Sequence, residues 1–129
     1  MVVQSLTIKA KQMAEFILLF RKDITAQDPS PEEWQELGKL WWQWRTELEQ
    51  QNKIASSGNR LSKGGRVVKQ KGTVTNGPYA EIKEGLAGYM VIRAVDFDEA
   101  VSLAKECPIL RQGGNVEVRQ FISPDDNET

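Results

Sequence analysis

The chain of 129 residues contains no histidine. That absence excludes every mechanism that needs a histidine general base, a Ser-His or Cys-His pair, or a histidine-ligated metal. Cysteine is nearly absent too. Cys107 stands alone, so no disulfide can close within the chain, a usage that fits a reducing compartment. An excess of either charge is also missing. Lys plus Arg number 17 and Asp plus Glu 18, for a formal net charge of −1. Such a surface exerts no general pull on nucleic acid or an anionic membrane. No apolar run is long enough for a membrane helix, and residues 1–12 lack the charged-then-apolar order of a signal peptide. Neither a glycine-rich phosphate loop nor a metal-ligand spacing occurs. These absences set the expectation of a cytoplasmic protein with no cofactor and no membrane partner.

What is present is globular. The hydrophobic set makes up 40% and charged residues 27%, and the length suits one core. The expected organisation is an extension over 1–12, a domain over 13–122 and a polar tail over 123–129. Residues Met13–Phe20 read as a strand with Phe16, Leu18 and Phe20 on one face. Ile17 and Leu19 make the other face apolar, so both faces should be covered. Ser30-Pro31-Glu32-Glu33 is a capping box with proline at the first helical position. Trp34, Leu37, Trp41, Trp44 and Leu48 then recur at helical spacing to about Gln51, with Trp42 off that stripe. A short strand at Ile54–Gly58, a Gly64-Gly65 turn and a return strand at Arg66–Lys71 suggest a hairpin. Ala87–Val95 reads as a central strand. Asp96 to Glu99 opens a second helix, whose apolar face holds Phe97, Ala100, Val101, Ala104 and Cys107 and which Pro108 ends. Asn115–Ile122 is the last strand. The order predicts an α+β fold of ferredoxin-like, split βαβ topology, with two helices on one face of an antiparallel sheet.

Two helices cover one face of such a sheet, and the other must be explained. Met90, Ile92 and Ala94 should meet the helices, leaving Tyr89, Val91 and Arg93 on the open side. In the last strand Val116 and Val118 should be internal, with Glu117, Arg119 and Phe121 outward. The open face therefore mixes apolar residues with Tyr, Arg and Glu, too apolar for water and too polar for a core. A second copy of the chain packed face to face would enclose a chamber. Tyr89, Arg93, Glu117 and Arg119 would line it, either as a paired structural network or as a site for an anionic or carbonyl-bearing molecule.

The segment from Thr75-Asn76-Gly77-Pro78-Tyr79-Ala80-Glu81-Ile82-Lys83-Glu84 to Gly88-Tyr89-Met90-Val91-Ile92 resembles the YCII-related family, in particular its DGPF-motif branch. Further matches are Leu18-Leu19-Phe20-Arg21, the Ser30 helix start, Asp98-Glu99-Ala100, and Cys107-Pro108 through Gly113-Gly114 to Val116-Glu117-Val118-Arg119. The resemblance runs from Met13 to Ile122. It implies a dimeric α+β barrel, in agreement with the open-face argument. Some members of the branch resemble partners of extracytoplasmic-function sigma factors by association. Other YCII-like proteins are proposed to use a His-Asp pair, which this chain cannot supply. It also has Asn76 for the usual Asp and Tyr79 for the usual Phe.

Asn76-Gly77-Pro78 makes a tight turn. It would fix Tyr79 and project Glu81 and Glu84 near the chamber mouth, either as a folding device or as the shaper of a pocket. The basic stretch Arg60, Lys63, Arg66, Lys69 and Lys71 has no interleaved aromatics and reads as a solvated edge. Cys107 reads as a buried inert thiol. Three functions stay open: a homodimer binding a small molecule; an isomerase or lyase using Glu81, Glu84 or Glu117 with Tyr89; and a regulatory partner of a sigma factor, contacted through Trp42.

Overall fold

A computed structural model describes residues 13–78 and 84–124. The described residues form six strands and two α-helices, in the expected order apart from an additional short strand at Val74–Asn76. Strand β1 spans Ala14–Lys22, helix α1 Pro31–Gln50, β2 Ile54–Arg60, β3 Arg66–Val68, β4 Val74–Asn76, β5 Gly85–Ala94, helix α2 Phe97–Ala104 and β6 Asn115–Gln120. The main sheet has the order β2-β5-β1-β6, with each neighbouring pair antiparallel. That is the strand order of the ferredoxin-like arrangement, and β3 with β4 forms a separate two-stranded ribbon.

Local chemistry sets the helix starts. The Ser30 hydroxyl accepts from the Glu33 N–H at 3.2 Å, and the Glu33 carboxylate accepts from the Ser30 N–H at 3.3 Å. Asp96 caps α2 through the Glu99 N–H at 2.9 Å, while the Glu99 carboxylate reaches past the cap to the Val95 N–H at 3.0 Å. Satisfying these orphan amides stabilises each first turn by about 1 kcal/mol.

Packing follows the strand alternation. Phe16, Leu18, Phe20, Met90, Ile92 and Ala94 are all buried, and they meet Trp44 and Leu48 from α1 and Ala100 and Ala104 from α2. Val116, Val118 and Ile54 pack against this core from the outer strands. Phe20, Trp41 and Trp44 form an edge-to-face cluster with centroids 5.1 to 6.2 Å apart. The indole N–H of Trp44 donates to the Leu103 carbonyl at 3.1 Å, tying the two helices together. The second helix is less apolar in effect than its sequence suggests. Of its residues only Ala100 and Ala104 are fully buried; Leu103 packs part-buried against the core, Val101 stays exposed, and the half-exposed Phe97 ring closes the core edge 5.1 Å from Phe16.

The expected hairpin is corrected. β2 does not pair with the Arg66 strand; it pairs with β5, with register shifts on either side of Ser56. β3 pairs with β4 instead, Val67 opposite Thr75. Gly58 explains the bulge: its φ is +65°, and a Cβ there would overlap the Tyr89 carbonyl oxygen. This strand curls against β5 as only glycine allows. The ribbon takes over the pairing that the sequence had suggested for β2. The expected extension over 1–12 and most of the tail beyond Ser123 lie outside the described residues.

Candidate functional site

Among the described residues the two helices cover one sheet face only, and the register shows which side chains share the other. Directly paired residues in antiparallel strands point to the same face, with Cβ atoms about 5 Å apart. Three rows cross the open face. Asn59, Tyr89, Leu19 and Glu117 make one, Ser56, Val91, Ile17 and Arg119 the next, and Arg93 lies opposite Glu15 in the third. Ile17, Leu19, Tyr89 and Val91 at the centre are each part-buried by their neighbours alone. The face thus has an apolar middle, a neutral polar edge on β2 and a charged edge on β6.

The charged edge is organised around Glu117. Arg21 Nε donates to Glu117 Oε1 at 3.0 Å, and Arg119 Nη1 donates to Glu117 Oε2 at 3.4 Å. The Arg21 hydrogen bond, with Arg119 assisting, holds the Glu117 carboxyl below the usual carboxylate range despite some desolvation. Arg21 also donates through Nη1 to the Glu84 carbonyl at 3.1 Å, linking β1 to the chain that enters β5. Arg21 was not among the residues picked out from the sequence. Alternation through Ile17 and Leu19 already placed it on the open face, but a bulge between Phe20 and Arg21 blurs that reading.

Arg93 is held elsewhere. Its Nη1 donates to the Ile54 carbonyl at 2.9 Å, and its backbone N–H donates to Lys53 O at 2.7 Å. It lies four residues from Tyr89 along β5, about 13 Å away. Tyr89 and Glu117 share a row but are separated by β1, about 10 Å between strand axes. One chain therefore brings Glu117 and Arg119 together, adds Arg21, and keeps Arg93 and Tyr89 apart from them. The Glu84 side chain is exposed. Tyr79 and Glu81 lie outside the described residues.

Asn76-Gly77-Pro78 lies at the open end of the ribbon, with Asn76 closing β4 and Gly77 in a bend rather than a tight turn. Gly77 has φ +85°, and its N–H donates to the Gly65 carbonyl at 2.7 Å. The motif thus closes β3 and β4 together and leads into the segment before Glu84. Trp42 is 70% exposed. With Gln35, Gly38, Lys39 and Gln43 it borders an open depression of about 640 Å³ on the outer side of α1, away from the sheet. Cys107 is buried, and desolvation pushes its thiol up to about 12. Among the described residues no group of three or more His, Cys, Asp or Glu could hold a metal ion, and no helix is long and apolar enough to cross a membrane.

The family model of the YCII-related domain matches residues 14–122, nearly the whole described fold. A search of curated proteins finds no match. On the family match, which runs from β1 to just past the end of β6, the chain belongs to the YCII-related family.

Proposed function

We propose that this YCII-related protein is a homodimer that binds a small anionic or carbonyl-bearing molecule between two sheets packed face to face. The carrying observation is the composition of the uncovered face. Ile17, Leu19, Val91 and Tyr89 form a contiguous apolar centre, flanked by charge at the β6 ends of two rows and by Arg93 and Glu15 on the inner strands of the third. Joining two such faces removes the apolar centre from water and leaves the charged edges to frame a chamber. Membership of the DGPF branch, argued from Asn76-Gly77-Pro78 and the strand after it, belongs to the same proposal, as does a cytoplasmic location read from the lone Cys107.

The enzyme reading has less support. A carboxylate acting as general acid near neutral pH needs its pKa raised, whereas the guanidiniums of Arg21 and Arg119 lower that of Glu117. Glu84 is solvent-exposed, its backbone carbonyl rather than its side chain engaged by Arg21.

The test is sedimentation velocity together with methyl NMR in a paramagnetic co-solvent. A species of twice the chain mass, with the Ile17, Leu19 and Val91 methyls shielded from the agent, is the expected result. A single-chain species with those methyls bleached would end the proposal.

A further inference from the structure

We infer that the chamber takes an organic carboxylate with an apolar body, and that Arg119, not Arg93, anchors it. The inference rests on the face-to-face reading above and deepens it. It follows from how the three arginines of the open face use their donors. Arg93 spends its guanidinium on the β2 backbone, at Ile54 O and, more distantly at 3.5 Å, at Asn52 O. Arg21 spends Nε on Glu117 and Nη1 on the Glu84 carbonyl. Arg119 has one contact among the described residues, to Glu117 at 3.4 Å. That is long for a charge-assisted bond, whose usual length is about 2.8 Å. The planar fork of Arg119 is the one left open to a ligand.

The charge balance points the same way. On the open face of the described residues, Arg21, Arg93 and Arg119 outnumber Glu15 and Glu117 by one. Arg93 turns its guanidinium to the β2 backbone, whereas at the β6 edge Arg21 and Arg119 share one carboxylate, so that edge carries one positive charge in excess. Enclosing that edge between two sheets strips water from Arg119, whose side chain is 69% exposed in the single chain. A guanidinium in that position calls for a counter-anion, and a carboxylate matches its fork with two parallel bonds.

The surroundings select the rest of the ligand. Ile17 is directly opposite Arg119, with Val91 beyond it and Leu19 in the adjoining row. An anion seated on Arg119 would lay its body on these side chains, which reward an apolar group and give nothing to a bare inorganic ion. Glu117 Oε2 already occupies the place of such a carboxylate and acts as a built-in competitor.

Benzoate is the probe and benzamide its neutral counterpart, with affinities measured by calorimetry and the mass followed by sedimentation. Wild type should bind benzoate at least about tenfold more tightly than benzamide, as a charge-assisted pair would give. Arg119→Ala should erase that preference and Arg119→Lys should keep part of it. Glu117→Gln, by removing the competitor, should tighten benzoate several-fold, an effect that a merely structural Glu117 would not produce. Arg45→Ala, on the exposed surface of α1, should change nothing. Equal binding of benzamide, benzoate affinity that survives Arg119→Ala, or inorganic phosphate binding as tightly as benzoate would overturn the inference. A dimer without anion preference defeats this inference and leaves the dimer standing. A monomeric wild type defeats both.

Discussion

Val91→Glu is the sharpest test of the proposed face-to-face arrangement. Val91 sits on β5, an inner strand, with Ile17 opposite on one side and Ser56 on the other. No charged residue is its direct partner, so an introduced carboxylate has no neighbour across the strands to neutralise it. In the isolated chain the cost is small. Val91 is only part-buried, the new head can reach water, and the loss is a β-propensity difference of at most about 1 kcal/mol. In the dimer the same head enters a layer between two sheets, where an unpaired ion costs about 3–5 kcal/mol. Symmetry doubles that penalty, and at about 1.4 kcal/mol per decade the association constant should fall by at least ~10⁴-fold. Sedimentation velocity of the variant should show a single-chain species at micromolar concentration. Circular dichroism and tryptophan emission from the Trp41–Trp44 cluster should stay native. If the variant dimerises as tightly as wild type, the open face is not the interface. If it unfolds, Val91 carries more of the single-chain fold than its part-burial implies.

Four further outcomes are expected. Leu48→Ala, emptying a site only 2% exposed, should cost about 2–5 kcal/mol in denaturant unfolding; a loss under 1 kcal/mol would contradict the packing described. Gly58→Ala should be severely destabilising, because both the positive φ and the overlap with the Tyr89 carbonyl must be relieved; a neutral result would show that β2 is not curled against β5. Arg21→Ala should return the Glu117 pKa upward toward the ordinary carboxylate range, read by carboxyl ¹³C titration. The sign follows from linkage: a depressed carboxyl pKa contributes stability above its unfolded value and loses it as pH falls through the folded value, so the variant should lose some neutral-pH stability and show less acid dependence. Cys107, with its thiol pushed up to about 12, should resist iodoacetamide in the native state at mildly alkaline pH and react quickly in denaturant; fast native labelling would mean the thiol is not buried.

Alternation of apolar and polar residues was enough to assign faces. It put Phe16, Leu18 and Phe20 with Met90, Ile92 and Ala94 toward the helices, and the structure buries all six. It put Ile17, Leu19, Tyr89 and Val91 on the other side, where the register places them. What alternation cannot supply is register, because a period of two is satisfied by many slides of one strand past another. For that reason Arg93, Tyr89 and Glu117 looked like one cluster, while the actual pairing sets Arg93 against Glu15 and leaves a strand between Tyr89 and Glu117. Strand partnering and a bulge hid the rest. β2 pairs with β5 instead of the Arg66 strand, a choice of partner that alternation leaves open, and the bulge after Phe20 obscured Arg21. Helix α2 misled differently. A stripe counted by residue type includes Phe97 and Val101, but small residues let a helix approach closely, and contact through Ala100 and Ala104 leaves Val101 exposed and Phe97 only at the core edge.

The charged edge bears most directly on what the face can do. A lone carboxylate on an apolar sheet would rise in pKa and become available for proton transfer. Two guanidiniums on one carboxylate reverse that: Glu117 stays ionised, and the surplus positive charge is left on the side of Arg119. Such an edge is suited to holding an anion in place rather than moving a proton. The absence of histidine removes the other usual proton carrier near neutral pH. Binding is then the reading most consistent with both the residues present on this face and the residue type missing from the chain, and Arg119 is where it should be tested first.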